Sequence, residues 1–261
     1  MMDELTPCDL EDLRSAKSML EHPGLAARLA DTLGRPLEAG LAMLPANWNE
    51  RLSGLTEAAL ARALELSLTT LGRRQTRRSH EWAHRLAVAG SGAASGAFGL
   101  ASLAVELPFS TLVILRSVAD IARSEGLDPS DPHIKLCCLE VLALGGRARG
   151  DDAADSGYWM VRAALAHSIS EAAAHIAHKG LSKESGPALA RLIGIIASRF
   201  GSVVTEAAAA KAIPVIGAVS GATVNYLFMQ HFQEMARGHF IIMRLEQTYG
   251  RETIERVYFE L

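Results

Sequence analysis

Two long stretches without a charged residue, Leu86–Val105 and Ala212–Gln230, most constrain what this 261-residue chain can fold into. Each is close to the roughly 20 apolar residues that span a bilayer. Both are nevertheless rich in Ala, Gly and Ser, and their glycines recur one helical turn apart: Gly92 and Gly96, and Gly217 and Gly221. Because this spacing lets two helix backbones approach closely, we expect two tightly packed central helices. A hairpin that leaves the bundle and enters lipid is the alternative.

The composition predicts an all-α fold, a single multi-helix bundle around these glycine-spaced helices. Hydrophobic residues make up 49% of the chain and aromatic residues only 5%, so the apolar content is mostly Ala, Leu, Val and Ile. Ala and Leu favour helices, and runs of β-branched residues are few. Helix starts are predicted after Thr6, Thr56 and Asp131, which have the side chains of N-caps, and a stop is predicted at Gly145.

The net charge limits the binding partners that we expect, and the cysteine content indicates the cellular compartment. The net charge of −3 gives no general attraction for nucleic acid, so none is expected as a partner. Cys8, Cys137 and Cys138 are odd in number and two are adjacent, which is not a disulfide framework. The acidic start of the chain lacks the pattern of a signal peptide. A reducing, cytoplasmic location is therefore expected.

A basic cluster precedes the first uncharged stretch. It consists of Arg73, Arg74, Arg77, Arg78 and Arg85. Cytoplasmic flanks of membrane segments carry such charge, and each basic side chain contributes about 1 kcal/mol of attraction to an anionic leaflet. We expect these arginines to contact lipid headgroups, and an ordinary solvated helix face is the alternative.

Two polar pairs invite a functional interpretation, although the chain has no catalytic motif. Arg116 lies in an apolar run one turn before Asp120, which favours an internal ion pair or, alternatively, an anion contact. His231 and Glu234 have the spacing of ligands in helical metal sites. Such sites need further carboxylates from other helices, so a solvated face is the main expectation and no metal is predicted.

Several stretches resemble the EcsC family. They are "ELPFSTLVILRSVADIARSEG", "LEVLALGG", "SGYWMVRAALA" and "RFGSVVTEAAAAKAIPVIGAVSGATVNYLFMQHFQEMARGHFIIMRLEQTYG". The resemblance runs from about residue 45 to the C-terminus, so we divide the chain into an N-terminal helical extension, 1–45, and an EcsC-like helical domain, 46–261. It implies a bacterial protein, similar to one encoded beside an ABC transporter whose loss affects secretion.

The family supplies no catalytic residue, so the polar residues that its motifs share with this chain form a candidate polar site without assigned roles. They are Glu106, Arg116, Asp120, Glu140, Glu206, Asn225, His231, Glu234 and Arg237.

The predicted function is that of a non-enzymatic, membrane-associated protein. It would bind lipid or a membrane partner, such as a transporter, at the cytoplasmic side of the inner membrane. No cofactor is expected, but a lipid or fatty acid could occupy the bundle. Two alternatives stay open: a metal-dependent or lipid-directed hydrolase that uses residues around His231 and Glu234, and a membrane-inserting toxin or adaptor.

Overall fold

A computed structural model describes most of the chain, in eight segments. They are residues 5–21, 24–33, 37–70, 81–96, 103–146, 157–179, 186–212 and 217–261. These segments contain eleven helices and no strand, which confirms the all-α prediction for the described part of the chain.

The helices follow one another with short connections. They are α1 (Pro7–Glu21), α2 (Leu25–Leu33), α3 (Leu37–Leu41), α4 (Trp48–Thr70), α5 (Glu81–Gly96), α6 (Leu103–Ser124), α7 (Pro132–Leu144), α8 (Gly157–Lys179), α9 (Gly186–Ala212), α10 (Gly217–Tyr249) and α11 (Arg251–Glu260).

Two of the three predicted N-caps are confirmed. The Thr6 hydroxyl accepts a hydrogen bond from the Asp9 backbone N–H at 3.2 Å, and the Asp131 carboxylate accepts one from the His133 N–H at 2.7 Å. The prediction of an N-cap at Thr56 was wrong, because α4 begins at Trp48 and Thr56 is buried inside this helix. The apolar stripe that Trp48 and Leu52 begin continues through Thr56, so the helix needs no start there.

The core lies around α9 and α10. Helix α9 packs against α2, α3, α4, α7, α8 and α10, and α10 packs against α1, α5, α6 and α11 as well. Among the described residues, only the stretch Pro187–Ala212 of α9 has the length and hydropathy that a membrane crossing needs. Core helices of bundles can have the same composition, and α9 packs against six other helices, with 39% of this window buried. Leu86–Val105 and Ala212–Gln230 both include residues outside the described part of the chain, so this criterion tests neither stretch as a whole.

The two glycine-spaced stretches belong to neighbouring helices. Gly92 and Gly96 lie in α5, and Gly217 and Gly221 lie in α10. Helix α5 packs along α10 more extensively than any other pair of helices packs together. The role of these glycines at that seam stays a prediction, because the surroundings of Gly92, Gly96 and Gly217 lie outside the described side chains.

Other glycines permit close backbone contacts that the sequence did not single out. A Cβ atom added to Gly40 of α3 would lie 2.1 Å from the Ala209 carbonyl oxygen of α9. A Cβ added to Gly146, after α7, would lie equally close to the Arg199 carbonyl oxygen of α9. Both partners are backbone atoms, so neither site can accept a side chain unless the helices move apart.

Replacing Gly40 with alanine therefore separates α3 from α9, and we expect Gly40→Ala to lower the free energy of unfolding by about 1–3 kcal/mol. Chemical denaturation monitored by circular dichroism measures this change. Gly194→Ala in α9 is the matched control, because an added Cβ there meets nothing within 4 Å. It should leave stability unchanged or raise it by about 1 kcal/mol. Equal stability of the Gly40→Ala protein and the wild type would contradict the close contact.

Candidate functional site

Helix α10 buries an unusual series of polar side chains. They are Asn225, His231, Gln233 and His239. A buried polar group without a hydrogen bond costs about 1–3 kcal/mol, so each of these side chains requires a partner from a neighbouring helix. These partners divide the polar residues into separate clusters along α10.

The first cluster joins α5, α6, α9 and α10. The Asn225 amide donates hydrogen bonds to the Val88 carbonyl at 3.0 Å and to the Glu106 carboxylate at 2.5 Å. The Lys211 ammonium donates to the same carboxylate oxygen at 2.5 Å. Burial lowers the pKa of Lys211, although Glu106 opposes this effect. The structure thus brings together two predicted residues, Glu106 and Asn225, and adds Lys211, which sequence reasoning missed.

The second cluster joins α5, α6 and α10, with Gln233 about two turns after Asn225 on α10. The Gln233 amide N–H donates to the Ser117 hydroxyl at 2.9 Å, while its carbonyl oxygen accepts from the Arg85 guanidinium. The Arg85 side chain also lies over the Tyr226 ring. Of the predicted lipid-contacting arginines, Arg85 is therefore partly engaged within the bundle. Arg73, Arg74, Arg77 and Arg78 lie outside the described residues.

Asp120 lies beside this second cluster, but its partners differ from the predicted one. Its carboxylate contacts the Arg123 guanidinium at 2.7 Å and the His84 ring at 3.1 Å. Within the described chain, Arg116 forms no ion pair with it and is exposed. The predicted Arg116–Asp120 pair was wrong, because Arg123, three residues after Asp120, reaches the carboxylate from within the same helix.

His231 and Glu234 are engaged in contacts between helices. The Nε2–H of His231 donates to the Gly145 carbonyl at the C-terminal end of α7, at 2.9 Å. The Glu234 carboxylate pairs with Arg28 of α2 at 2.5 Å. Burial alone would raise the pKa of Glu234, but hydrogen bonds from Arg28 and Gln230 outweigh it and lower the pKa. Among the described residues, neither side chain belongs to a group of three metal-binding side chains.

The third cluster joins α7, α8 and α10 around Glu140. The ring nitrogen Nε2 of His239 lies 3.6 Å from the Glu140 carboxylate, and the opposite ring nitrogen, Nδ1, is 3.1 Å from the Tyr158 hydroxyl. Cys137, one turn before Glu140, completes the group. Glu140 was a predicted residue, whereas neither Cys137 nor His239 had been predicted to belong to a polar site.

Burial sets the protonation of the third cluster. It raises the pKa of Glu140 to about 7, and the nearby Arg162 opposes this only in part. It raises the pKa of the Cys137 thiol well above its ordinary value. Burial and the neighbouring charges of Arg162 and His133 lower the pKa of His239 well below its ordinary value, so its imidazole is neutral at physiological pH.

Arg162 forms the outer boundary of this cluster. Its guanidinium makes two hydrogen bonds to Glu246, at 2.7 and 2.9 Å, and lies over the rings of Tyr158 and Trp159. A guanidinium held by a bidentate carboxylate and stacked on aromatic rings has little freedom to move. Arg162 and the two aromatic rings therefore hold fixed positions at the edge of the cluster.

The remaining predicted polar residues lie apart from these clusters. Arg237 lies 3.7 Å from Glu125, which also pairs with Arg244, and Glu206 is half-buried on α9. The nine candidates thus do not converge on one polar site. Most of them instead join α10 or α6 to different neighbouring helices.

Two neighbouring helices, α5 and α6, each carry exposed apolar side chains. Among the large apolar side chains that the structure describes, Trp82 and Leu86 of α5 are 68% and 60% exposed, and Val105 and Phe109 of α6 are 79% and 45% exposed. Each pair is four residues apart and therefore lies on one side of its helix. The two helices pack together, with His84 against Asp120. We call these four side chains the α5–α6 face.

Comparison with known protein families assigns the chain to a family. A sequence model of the EcsC protein family matches residues 26–245, which include α2 to α9 and most of α10. The chain belongs to the EcsC protein family. The matched range begins in α2, before the domain boundary predicted at residue 46. No curated protein and no solved structure shows significant similarity to the chain.

Removing the cation of the first cluster should destabilise the fold. Lys211→Met leaves Glu106 buried beside an apolar side chain, and we expect a loss of about 3 kcal/mol in the free energy of unfolding. The double variant Glu106→Gln/Lys211→Met removes the charge and keeps an acceptor for Asn225, so it should recover most of that loss. Urea denaturation measures both variants. A double variant as unstable as the single one would show that the Glu106 charge is not the cause.

The His231 contact predicts a pH dependence. Burial lowers the pKa of His231, although its hydrogen bond to Gly145 opposes this. The folded state therefore keeps the ring neutral while the unfolded state gains a proton as the pH falls below about 6.5. This contribution to stability is complete above that pH and is lost with a slope of up to about 1.4 kcal/mol per pH unit below it.

Denaturation between pH 5 and 7 tests this contribution. His231→Gln should show a shallower decline in stability toward pH 5 than the wild type. His178→Gln in α8, whose side chain is exposed, is the control and should follow the wild type. Parallel curves for His231→Gln and the wild type would contradict a neutral buried ring.

Proposed function

We propose that the protein is a peripheral membrane protein that binds anionic lipid through the α5–α6 face. The observation that carries the proposal is the exposure of Trp82, Leu86, Val105 and Phe109 on two neighbouring helices. Helices that lie in a bilayer interface combine a Trp, Phe and Leu face with basic residues. The protein would act at the cytoplasmic surface of the inner membrane, as the family resemblance implies.

Arginines are distributed so that they would reach lipid headgroups around this face. Arg116 is exposed and follows Val105 by eleven residues, or about three helical turns, on the same side of α6. Arg73, Arg74, Arg77 and Arg78 directly precede α5 in the sequence. Each basic residue near an anionic leaflet contributes about 1 kcal/mol, which corresponds to about a fivefold gain in partitioning.

The apolar side chains supply the second part of the binding free energy. Insertion of large side chains to the depth of the headgroups removes apolar area from water, at about 25 cal/mol per Å². An apolar contact together with a basic patch is the combination that gives stable attachment to a bilayer surface. The proposal needs no helix to leave the bundle, and membrane insertion and an association with a transporter stay predictions.

Vesicle flotation tests the proposal with the full chain. We expect binding to vesicles of phosphatidylcholine and phosphatidylglycerol, and little binding to phosphatidylcholine alone. Trp82→Ser/Leu86→Ser and the fourfold change of Arg73, Arg74, Arg77 and Arg78 to Glu should each lower partitioning by about tenfold or more. All six side chains are exposed or outside the described residues, and circular dichroism would confirm that each variant is folded.

Leu41→Ser/Met43→Ser is the matched control. Both side chains are large, apolar and exposed, but they lie at the end of α3, which packs against α9 and α2. This variant should bind like the wild type. The proposal is wrong if the wild type does not bind anionic vesicles, or if neither the apolar nor the arginine variant weakens binding.

A further inference from the structure

Three side chains with metal-binding atoms meet in the interior between α7 and α10. The thiol sulfur of Cys137, a carboxylate oxygen of Glu140 and a ring nitrogen of His239 all lie within 4.8 Å of one another. All three side chains are buried. Cys137 and Glu140 are three residues apart and so lie on one side of α7, while His239 approaches from α10. In a tetrahedral zinc site such atoms are about 3.3–3.8 Å apart, so small side-chain rotations suffice to close the site.

An unsatisfied ring nitrogen points into this group. His239 is 0% exposed, and its Nε2 has no hydrogen-bond partner among the described residues. The nearest carboxylate oxygen, that of Glu140, is 3.6 Å away, which is too long for a hydrogen bond. A buried nitrogen lone pair or N–H without a partner is costly, and native proteins usually satisfy such an atom with a protein group, a water or an ion.

We propose that Cys137, Glu140 and His239 bind one Zn²⁺ ion that links α7 to α10. A thiolate, an imidazole and a carboxylate are the three side-chain donors that Zn²⁺ takes in proteins. Thiolate ligands disfavour Mg²⁺ and Ca²⁺, which prefer oxygen. The proposal is independent of membrane binding, because it concerns the opposite half of α10 from the residues beside the α5–α6 face.

The surroundings of the three side chains fit such a site. The Tyr158 hydroxyl lies 3.1 Å from His239 Nδ1, where it accepts the Nδ1–H and leaves Nε2 free to bind the ion. The thiolate and the carboxylate together carry two negative charges, which balance Zn²⁺, and binding releases to solvent the thiol proton of Cys137 and the proton that Glu140 holds below its pKa of about 7. The positive charge of Arg162 does not compete, because Glu246 neutralises it through two hydrogen bonds.

A fourth donor lies at the solvent side. His133, one turn before Cys137 on α7, is exposed, and its Nδ1 is 3.7 Å from the Cys137 sulfur. His133 is not among the three side chains whose donor atoms lie within 4.8 Å of one another, so its side chain would have to rotate to become the fourth ligand. Sites closed by four protein ligands are structural ones, so we expect the ion to stabilise the fold.

Metal titration of the full chain without an affinity tag tests the proposal. After treatment with a chelator, the protein should bind one equivalent of Zn²⁺, and its melting temperature should rise until that equivalent is reached. Co²⁺ in its place should show the thiolate-to-cobalt charge-transfer band of a cysteine ligand. Cys137→Ala should abolish the band and weaken Zn²⁺ binding by about a hundredfold or more.

Cys138→Ala is the matched control, because Cys138 is equally buried and adjacent but lies on another side of α7. It should keep the stoichiometry and the cobalt band, and so should Cys8→Ser, which removes the exposed thiol. The wild-type titrations need no variant to fold. Absence of a saturable equivalent of Zn²⁺, or a cobalt band that survives in Cys137→Ala or disappears in Cys138→Ala, would overturn the proposal.

Discussion

The need to satisfy the polar groups that α10 buries governs how the other helices are arranged around it. Asn225 requires the Val88 carbonyl and Glu106, Gln233 requires Ser117, and His231 requires the carbonyl of Gly145. Each lost contact would leave a buried polar atom, at a cost of about 1–3 kcal/mol. Apolar side chains alone tolerate sliding and rotation of a helix, whereas these hydrogen bonds allow only one register. The buried polar side chains of α10 therefore specify how this helix packs against its neighbours.

The two halves of α10 contact different sets of helices. Its first half contacts α5 and α6, which carry the proposed lipid-binding face on their outer sides. Its second half contacts α7, α8 and α11, and encloses the cluster of Cys137, Glu140 and His239. Asn225 and His239 are fourteen residues apart, or about 21 Å along a helix. Lipid binding at one end and metal binding at the other could thus operate in one rigid bundle without sharing a residue.

Local signals predicted the helices well, while the partners of polar residues were predicted poorly. Thr6 and Asp131 act as caps because a cap depends only on residues within one turn. Thr56 failed because its neighbours continue the apolar stripe of α4 and keep its side chain buried. Asp120 was paired with the wrong arginine, since Arg116 and Arg123 are both near it in sequence and only the packed helix shows which one is turned outward.

The proposed metal site shows the same contrast between local spacing, which the sequence reveals, and contacts between helices, which it does not. Cys137 lies four residues after His133, and Glu140 lies three residues after Cys137. This spacing is visible in the sequence and places the three residues on one side of a helix. His231 and Glu234 have a similar spacing, but they contact Gly145 and Arg28 and join α10 to α7 and α2.

The amino-acid sequence by itself determined that the described chain is helical, where α1 and α7 begin, and that the chain belongs with the EcsC family. Helix formation and helix starts depend on propensity, capping and apolar periodicity, which act over a few residues. Only the tertiary structure decided that Lys211 reaches Glu106, that His239 faces Glu140, and that Trp82 and Phe109 stay exposed. Such outcomes depend on the relative placement of helices distant in sequence, and no local pattern encodes that placement.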